Sequence, residues 1–389
     1  MFAELRLPTF SQGFRAQGCS AKSTCPASRL ILNGAEPISV RLCEEFLTAM
    51  QAYGLRRTAM LPVYGLAEAT LAVTFPRLRE DYRYLTIDRH ALATGEPFVP
   101  VANDSANGLK VVKLGSAIGG RAELRISDDD DVPLADGRVG HIQVRGPNVT
   151  KGLYGDDADA AGLFTADGWL RTGDCGAIAD GELVITGRQK EIIIVNGQNY
   201  VPHDIEEIVS GIDGLDLGKV VVCGARKPGS RTEELLVFVL YRKDLESFAS
   251  LADEIGTTVG MRIGLEVDHV IPVTRIPKTT SGKIQRNLLA RAYMDGEYDE
   301  VANELRERVS AAAVDPDEDP LVRELEAICA EFSRDRVVGP DDNLFEVGIS
   351  SLTLTEIMLA VDEKYPGKVD INDLFDHPTL RELAKFLRR

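Results

Sequence analysis

Two adjacent serines near the end of the chain could carry chemistry, because a helical pattern starts beside them. Leu354, Ile357 and Val361 follow Ser350 and Ser351 at the spacing of one helix face. A serine at such a position can cap the helix. A phosphate attached there would instead be stabilised by the helix N-terminus. The residues alone therefore predict the start of a helix, which a serine can cap and which favours a nearby negative charge.

A lysine that follows a glycine is the next candidate. Gly282 and Lys283 could be taken for a phosphate-binding P-loop, but the first glycine of that motif is missing at the required spacing, so we reject it. The six cysteines form no C-x-x-C pair, and the five histidines show no ligand spacing. Neither a zinc site nor a disulfide framework is predicted, and a reducing cytoplasm fits this composition.

Length and charge narrow the classes of protein. The chain has 389 residues, enough for two to four domains at roughly 100–200 residues each. Its net charge of −17 disfavours a nucleic acid partner. Residues 317–389 hold 17 acidic and 9 basic residues, which indicates either simple solubility or a surface that attracts basic partner enzymes. No run of about 18 apolar residues and no signal peptide is present, so we expect no membrane span.

The elements that must position these residues follow from hydrophobic periodicity. A short strand at 29–32, a helix from about residue 37 to 53 and a buried strand at 59–63 are α/β in pattern. The predicted buried face of this helix comprises Val40, Cys43, Phe46, Leu47 and Met50. Residues 76–135 are rich in turns. Short strands between glycine turns over 138–197 predict a small β subdomain with a hairpin, and 203–295 predict an α+β domain.

The last part of the chain is predicted to be separate and helical. A charged helical stretch runs to about residue 314, and two prolines among four acidic residues at 315–320 indicate a linker. About 70 residues of helical pattern then predict a small four-helix bundle. The predicted divisions are 1–187, with a β subdomain at 110–187, then 188–296, a linker at 297–319 and the bundle at 320–389.

Five runs in a fixed order resemble the adenylate-forming superfamily, the ligases that make an acyl-AMP. They are residues 33–37 (NGAEP), 63–70 (VYGLAEAT), 168–174 (GWLRTGD), 186–199 (TGRQKEIIIVNGQN) and 276–286 (IPKTTSGKIQR). The resemblance covers roughly residues 29–295. Ala67 stands where threonine is usual, and the run at 63–70 is similar to that of the fatty acyl-AMP ligase branch. Residues 1–187 would then belong to the large AMP-binding domain, and 188–296 to its mobile C-terminal subdomain.

The resemblance implies a role for each matching residue. Glu68 would approach Mg²⁺, which takes few protein ligands, and Asp174 would accept both ribose hydroxyls of ATP or AMP. The remaining nucleotide-binding positions would be Gly34, Ala35, Glu36, Tyr64 and Arg188. Trp169 is interpreted as core packing rather than as a ligand.

Three further residues would serve later steps. Lys283 would be the catalytic lysine, whose ammonium stabilises the charge that develops when a carboxylate attacks the α-phosphate. Lys190 would be the hinge of the mobile subdomain, although a solvated lysine is an equally plain interpretation. Gly197 would line the path of the pantetheine thiol.

The run at 342–352 (DNLFEVGISSL) resembles the attachment site of an acyl or peptidyl carrier protein. The resemblance implies that Ser351 carries a 4′-phosphopantetheine arm, which a phosphopantetheinyl transferase adds. Ser350 stands where carriers often have aspartate. Residues 374–380 (LFDHPTL) match the start of a later helix in that family.

Two features bear on activity. The superfamily's phosphate loop, which ends in Pro-Lys-Gly, is not found in the sequence, so we expect a fragment, a truncation or one half of a split enzyme that adenylates poorly alone. A separate N-terminal half would then be a partner. Residues 76–108 lie where fatty acyl-AMP ligases carry an insertion that disfavours free CoA.

Three functions therefore stay open. The first is an acyl-AMP ligase portion that loads a fatty acid onto Ser351 for a downstream synthase or acyltransferase. The second is an acyl carrier with a disabled adenylation remnant. The third is part of an amino-acid-activating module.

Overall fold

The computed structural model describes residues 29–153, 162–195, 197–227, 233–280, 282–312, 319–333, 338–345, 347 and 349–388. It divides into two compact units. The first comprises the described residues up to Ile192 together with residues 197–201. The second comprises residues 193–195 and the described residues from Pro202 onwards.

The first unit opens with the predicted strand, helix and strand. Strand β1 (Ile31–Asn33) pairs in parallel with β2 (Met60–Pro62), and helix α1 (Val40–Gln51) connects them. The side chain of Ser39 accepts a hydrogen bond from the backbone N–H of Leu42 and caps the helix. The buried residues of α1 are the five that the sequence predicted, namely Val40, Cys43, Phe46, Leu47 and Met50.

Residues 76–108 belong to the core of the first unit. Strands β3 (Thr74–Phe75) and β6 (Ser116–Ala117) pair with each other, as do β4 (Tyr84–Asp88) and β5 (Gly108–Val112). Ile87, Leu92 and Phe98 are buried in one cluster with Ala177 and Val184. The segment interpreted as an insertion is therefore packed into the unit, and the turn-rich interpretation of 76–135 missed its strands.

A four-stranded antiparallel sheet forms the rest of this unit. Its order is β10-β9-β8-β7, with β7 at Glu123–Ser127, β8 at Gly140–Arg145, β9 at Leu170–Ala179 and β10 at Glu182–Arg188. The ring of Trp169 is buried, and the guanidinium carbons of Arg125 and Arg145 each lie 4.5 Å from its centroid. These cation–π contacts fix the loop that leads into β9. The prediction of Trp169 as core packing is confirmed.

The second unit contains the predicted α+β domain. Strand β11 (Ile193–Val195) belongs to it, whereas β12 (Gln198–Tyr200) belongs to the first unit. Helix α2 (Pro202–Val209) is followed by β13 (Val220–Ala225) and β14 (Glu234–Leu240), then α3 (Leu245–Ile263), β15 (His269–Val273) and α4 (Arg286–Met294). The sheet has the order β13-β14-β15, antiparallel and then parallel.

Helices make up the end of the described chain. Helix α5 (Asp299–Ala312) lies within the predicted linker, and residues 313–318 lie outside the described part. Helices α6 (Pro320–Phe332), α7 (Ser351–Lys364), α8 (Ile371–Asp376) and α9 (Leu380–Leu387) follow. They share a core of their own, which includes Leu325, Leu344, Ile357, Leu374 and Leu383. Within the described residues, no helix is both long and apolar enough to cross a membrane.

Candidate functional site

The loop after β1 meets the segment after β2. The backbone N–H of Val63 donates to the carbonyl of Asn33 over 2.8 Å. A Cβ atom on Gly34 would lie 2.6 Å from the carbonyl oxygen of Val63, so the close approach requires glycine. Ala35 adopts a φ of 78°, which is unusual for a residue with a side chain and marks local strain. Both loops lie at the carboxyl ends of parallel strands, the edge where α/β sheets bind ligands.

Tyr64, Asp174 and Arg188 come together beside this edge. The hydroxyl of Tyr64 donates to Oδ2 of Asp174 over 2.7 Å, and Nε of Arg188 donates to Oδ1 over 2.9 Å. Tyr64 and Asp174 are each 7% exposed. Asp174 and Arg188 face each other across β9 and β10, so the sheet register sets the pair. The site therefore presents one buried carboxylate, held by two donors.

Burial and charge shift the pKa values of both donors. Burial raises the pKa of the Tyr64 hydroxyl well above its usual range, and the negative charge of Asp174 raises it further. Burial opposes the charged form of Arg188, but the charge and hydrogen bond of Asp174, together with the charge of Glu191, outweigh it, and the pKa of the guanidinium is raised. Tyr64 thus stays a neutral donor and Arg188 stays a cation at any physiological pH.

Glu68 lies in a tight turn directly after Tyr64. A Cβ atom on Gly65 would fall 1.5 Å from the carbonyl oxygen of Leu71, so the turn can close only on a glycine. Thr70 and Leu71 both have positive φ values, 48° and 83°. The Glu68 side chain is half-buried, and the described residues contain no group of three or more ligating side chains. A single carboxylate still fits Mg²⁺, which keeps several water ligands.

Asn148 holds the same turn, and sequence reasoning missed it. Its amide nitrogen donates to the carbonyls of Ala69 and Ala72 over 2.8 and 3.2 Å. The hydroxyl of Thr70 donates back to the carbonyl of Asn148 over 2.6 Å. The Pro-Asn pair at 147–148 was the only signal that could have drawn attention to it.

Lys190 and Gly197 lie close to the division between the units. Lys190 is exposed in a 3₁₀ turn at Gln189–Glu191, and the division falls two residues later, between Ile192 and Ile193. Gly197 has a φ of 79°, and a Cβ atom there would meet no atom within 4 Å. Glycine at 197 is therefore required by backbone conformation and not by packing.

Lys283 belongs to the second unit, whereas Tyr64, Asp174 and Arg188 belong to the first. Its side chain is exposed, while its backbone N–H donates to the Thr279 hydroxyl over 3.0 Å and its carbonyl accepts from the Thr279 N–H over 2.9 Å. Arg286, three residues later, donates to both carboxylate oxygens of Glu206 over 2.8 and 2.9 Å. This pair anchors the end of the Lys283 loop, and no sequence pattern predicted it.

The two serines have different positions at helix α7. Ser350 is the cap, because its Oγ accepts a hydrogen bond from the backbone N–H of Thr353 over 3.1 Å. Ser351 is the first residue of the helix. The cap interpretation therefore applies to Ser350, which leaves Ser351 as the candidate for the attachment of a phosphate.

Comparison with known families defines the class of protein. Residues 5–154 match the family described as AMP-binding enzyme, and residues 323–387 match the family described as phosphopantetheine attachment site. The chain therefore combines a region that matches AMP-binding enzymes with a phosphopantetheine-attachment region, which fits an adenylate-forming enzyme fused to a carrier domain.

Individual relatives agree with this class. The chain is 29% identical to aspulvinone E synthetase of Aspergillus terreus over 92% of its own length and 38% of that protein. It is 32% identical to a long-chain-fatty-acid–AMP ligase of Mycobacterium marinum over 68% of its length and 48% of that protein. The chain thus spans less than half of these relatives.

A solved structure shows the same fold. The structure of McyG A-PCP complexed with phenylalanyl-adenylate aligns with 98% of this chain and 57% of that chain, with a TM-score of 0.70. The sequence identity is 24%, so the likeness concerns the fold, which is an adenylation domain followed by a carrier domain.

Proposed function

We propose that the chain forms part of a ligase that activates a fatty acid with ATP and transfers the acyl group to an arm on Ser351. The observation that supports this best is the buried carboxylate of Asp174, held by Tyr64 and Arg188. In this proposal the four helices from residue 320 onwards form the carrier bundle, and the reaction takes place in the cytoplasm. In this proposal the phosphate loop, which residues 1–389 lack, is supplied by a further segment that completes the enzyme.

The first step forms the acyl adenylate. A carboxylate oxygen of the fatty acid attacks the α-phosphorus of ATP, a new P–O bond forms, and pyrophosphate leaves. The ribose hydroxyls donate to Asp174, while the loop at Gly34, Ala35 and Glu36 and the ring of Tyr64 border the adenine. The ammonium of Lys283 stabilises the developing charge. Glu68 would hold Mg²⁺, which neutralises phosphate charge when bound.

The second step moves the acyl group to the carrier domain. The subdomain turns about Lys190, and the arm's thiol approaches along Gly197. The sulfur attacks the carbonyl carbon of the acyl adenylate, AMP leaves, and a thioester forms while the thiol proton is lost. Because the carrier is tethered, its thiol has an effective concentration of roughly millimolar. This favours the arm over free CoA.

A second candidate is an amino-acid-activating module. It is supported by similarity to a nonribosomal peptide synthetase of Aspergillus terreus, which extends over 92% of the chain, whereas the similarity to the fatty-acid–AMP ligase extends over 68%. The choice between the candidates is a choice of acyl substrate.

Nucleotide binding tests the role of Asp174 without requiring the phosphate loop. Isothermal titration would compare AMP with its 2′,3′-dideoxy analogue. We expect the wild type to prefer AMP, and Asp174→Asn to lose this preference because its amide oxygen is a weaker acceptor. Asp136→Asn, at an exposed aspartate of the same unit, is the matched control. Equal affinity of the wild type for both nucleotides would contradict the assignment.

Acyl transfer tests the substrate. The chain with its arm would receive chemically prepared dodecanoyl-AMP or phenylalanyl-AMP, with millimolar CoA as the competing acceptor. Dodecanoyl transfer to Ser351, absent in Ser351→Ala, supports the proposal. Phenylalanyl transfer favours the second candidate. No transfer from either adenylate would show a carrier with a disabled remnant, and acyl-CoA as the main product would indicate a CoA ligase.

The intact chain is required for that experiment. Because residues 76–108 resemble an insertion, their deletion is an obvious test of the choice between the arm and free CoA, but the structure argues against this variant. The segment contains β4 and the buried side chains of Ile87, Leu92 and Phe98. Its removal would open the core of the first unit, so a changed product ratio would not report on acceptor choice.

A further inference from the structure

One hydrogen bond joins the α+β part of the second unit to the helix that begins at Ser351. The hydroxyl of Thr353 donates to Oε2 of Glu266 over 2.7 Å. Glu266 lies between α3 and β15, and Thr353, which is 6% exposed, lies in the first turn of α7. Ser350 Oγ is 2.9 Å from Thr353 Oγ1. The hydroxyls can therefore donate in sequence, from Ser350 to Thr353 and from Thr353 to the carboxylate.

The carboxylate of Glu266 is only weakly stabilised at this position. Its Oε1 atom is buried and has no hydrogen-bond partner among the described residues, while Oε2 receives one neutral donor. A buried oxygen without a donor opposes the contact. The carboxylate of Glu206, in the same unit, instead has the cationic Arg286 on both oxygens. The Glu266 contact therefore depends on small changes in local charge.

We propose that adding the arm to Ser351 releases helix α7 from Glu266, so that the contact belongs to the unmodified carrier domain. This rests on the proposed function, in which Ser351 is the attachment point. In the modification, the serine oxygen bonds to the phosphorus of CoA that bears the pantetheine. The pyrophosphate bridge breaks, adenosine 3′,5′-bisphosphate leaves, and the hydroxyl proton goes to solvent. A phosphodiester with one negative charge remains.

The new charge competes with Glu266 for the same helix end. The N-terminus of α7 favours one anion through its free N–H groups. After modification, a phosphodiester two residues from Thr353 and the Glu266 carboxylate would both occupy this region. Two like charges within about 10 Å of each other at partly buried sites repel strongly enough to shift an equilibrium on the order of tenfold or more. The contact is thereby coupled to the modification state of the carrier.

Hydrogen exchange tests the contact in both segments that form it. The full chain is measured before and after treatment with a phosphopantetheinyl transferase and CoA. The informative amides are those of residues 264–269 and 350–356. We expect exchange in both segments to become on the order of tenfold faster in the modified wild type. Unchanged exchange in residues 264–269 after complete modification would overturn the proposal.

Glu266→Gln separates charge from hydrogen bonding. The glutamine carbonyl still accepts from Thr353 but has no charge, so exchange should stay slow both before and after modification. Glu266→Ala should give fast exchange in both states. Glu254→Gln, which removes an exposed charge from α3, should behave as the wild type. If exchange in Glu266→Gln became faster on modification by as much as in the wild type, charge repulsion would not be the cause.

Mass spectrometry of the same samples distinguishes failure of the proposed function from failure of the proposed release of α7. If no arm is gained at Ser351, the proposed function fails, and Ser351→Asp then supplies a negative charge at the same residue. Faster exchange of residues 264–269 in Ser351→Asp than in Ser351→Asn supports the charge-sensitive contact. Equal exchange in these two variants overturns it.

Discussion

The hydroxyl of Tyr64 donates a 2.7 Å hydrogen bond to Oδ2 of Asp174, and both residues are buried. The two residues are 110 positions apart in the sequence, on the loop after β2 and on β9. Arg188 takes the other carboxylate oxygen from β10. Tyr64 therefore contributes a hydroxyl that orients the carboxylate, in addition to an aromatic ring.

Tyr64→Phe separates these two contributions, since phenylalanine keeps the ring. Loss of a hydrogen bond to a buried carboxylate costs about 1.5–3 kcal/mol. Under the proposed function, we expect AMP to bind on the order of tenfold more weakly, as measured by isothermal titration. Tyr84→Phe, which removes a hydroxyl from β4, should bind AMP as the wild type does. Unaltered AMP affinity in Tyr64→Phe would mean that the hydroxyl does not orient Asp174.

Ser351 and Ser350 should respond differently to the transferase. Ser351→Ala should gain no arm, whereas Ser350→Ala should still gain it, because Ser350 serves as the helix cap. Loss of the cap should lower the free energy of unfolding by about 1 kcal/mol. Peptide mapping by mass spectrometry after treatment with transferase and CoA checks the first point. An arm found on Ser351→Ala would refute the assignment of the attachment site.

His203 should make the second unit sensitive to acid. Burial, together with the charge of Arg286, lowers the pKa of His203 to about 4. The unfolded chain has a value near 6.5, so between about pH 6.5 and 4 the unfolded state binds more protons. Stability is therefore complete above this range and falls as the pH drops through it. From pH 7 to 5 the loss should be about 2 kcal/mol.

Urea unfolding at pH 7 and pH 5 tests this, because His203→Gln cannot take up the proton. The decrease in unfolding free energy between the two pH values should be smaller in His203→Gln by about 2 kcal/mol. Parallel decreases in the wild type and the variant would assign the acid sensitivity to other groups.

Arg286 should be needed for the stability of the second unit. Arg286→Met leaves the buried carboxylate of Glu206 without its cation, which typically costs about 3–5 kcal/mol. Hydrogen exchange of the β13 amides measures the effect, because the N–H of Val222 also donates to Glu206. Arg262→Met, at an exposed arginine of α3, is the control and should have little effect.

The double variant Arg286→Met with Glu206→Leu should recover part of this loss, since no buried charge then remains. If Glu206→Leu lowers the unfolding free energy by the same amount in Arg286→Met as in the wild type, the two side chains are not coupled.

Local periodicity predicted the regular elements well. The five buried residues of α1 lie where the pattern placed them. The strands at 140–145 and 182–188 fall in the segment predicted to hold short strands, and those at 220–225 and 234–240 fall in the predicted α+β domain. The roles proposed for Tyr64, Asp174 and Arg188 came from resemblance to a family. Their proximity is a property of the fold, because the register of β9 and β10 brings two of them together.

Other features could not be read from the sequence, because they depend on contacts between distant residues. Asn148 reaches a turn 79 positions earlier, and Thr353 contacts Glu266 across 87 positions. Neither pair has a local pattern, since a single amide or hydroxyl has no periodicity. Strand β4 was similarly not predicted, because it becomes recognisable only through its antiparallel partner β5.

Trp169 is the only tryptophan of the chain, and it lies between the guanidinium groups of Arg125 and Arg145 in the first unit. Intrinsic fluorescence excited at the red edge of the protein spectrum therefore comes from one ring in one environment. Its emission therefore reports when the first unit loses its structure. A denaturation followed by fluorescence and by far-ultraviolet circular dichroism would compare the unfolding of this unit with that of the whole chain, without any added label.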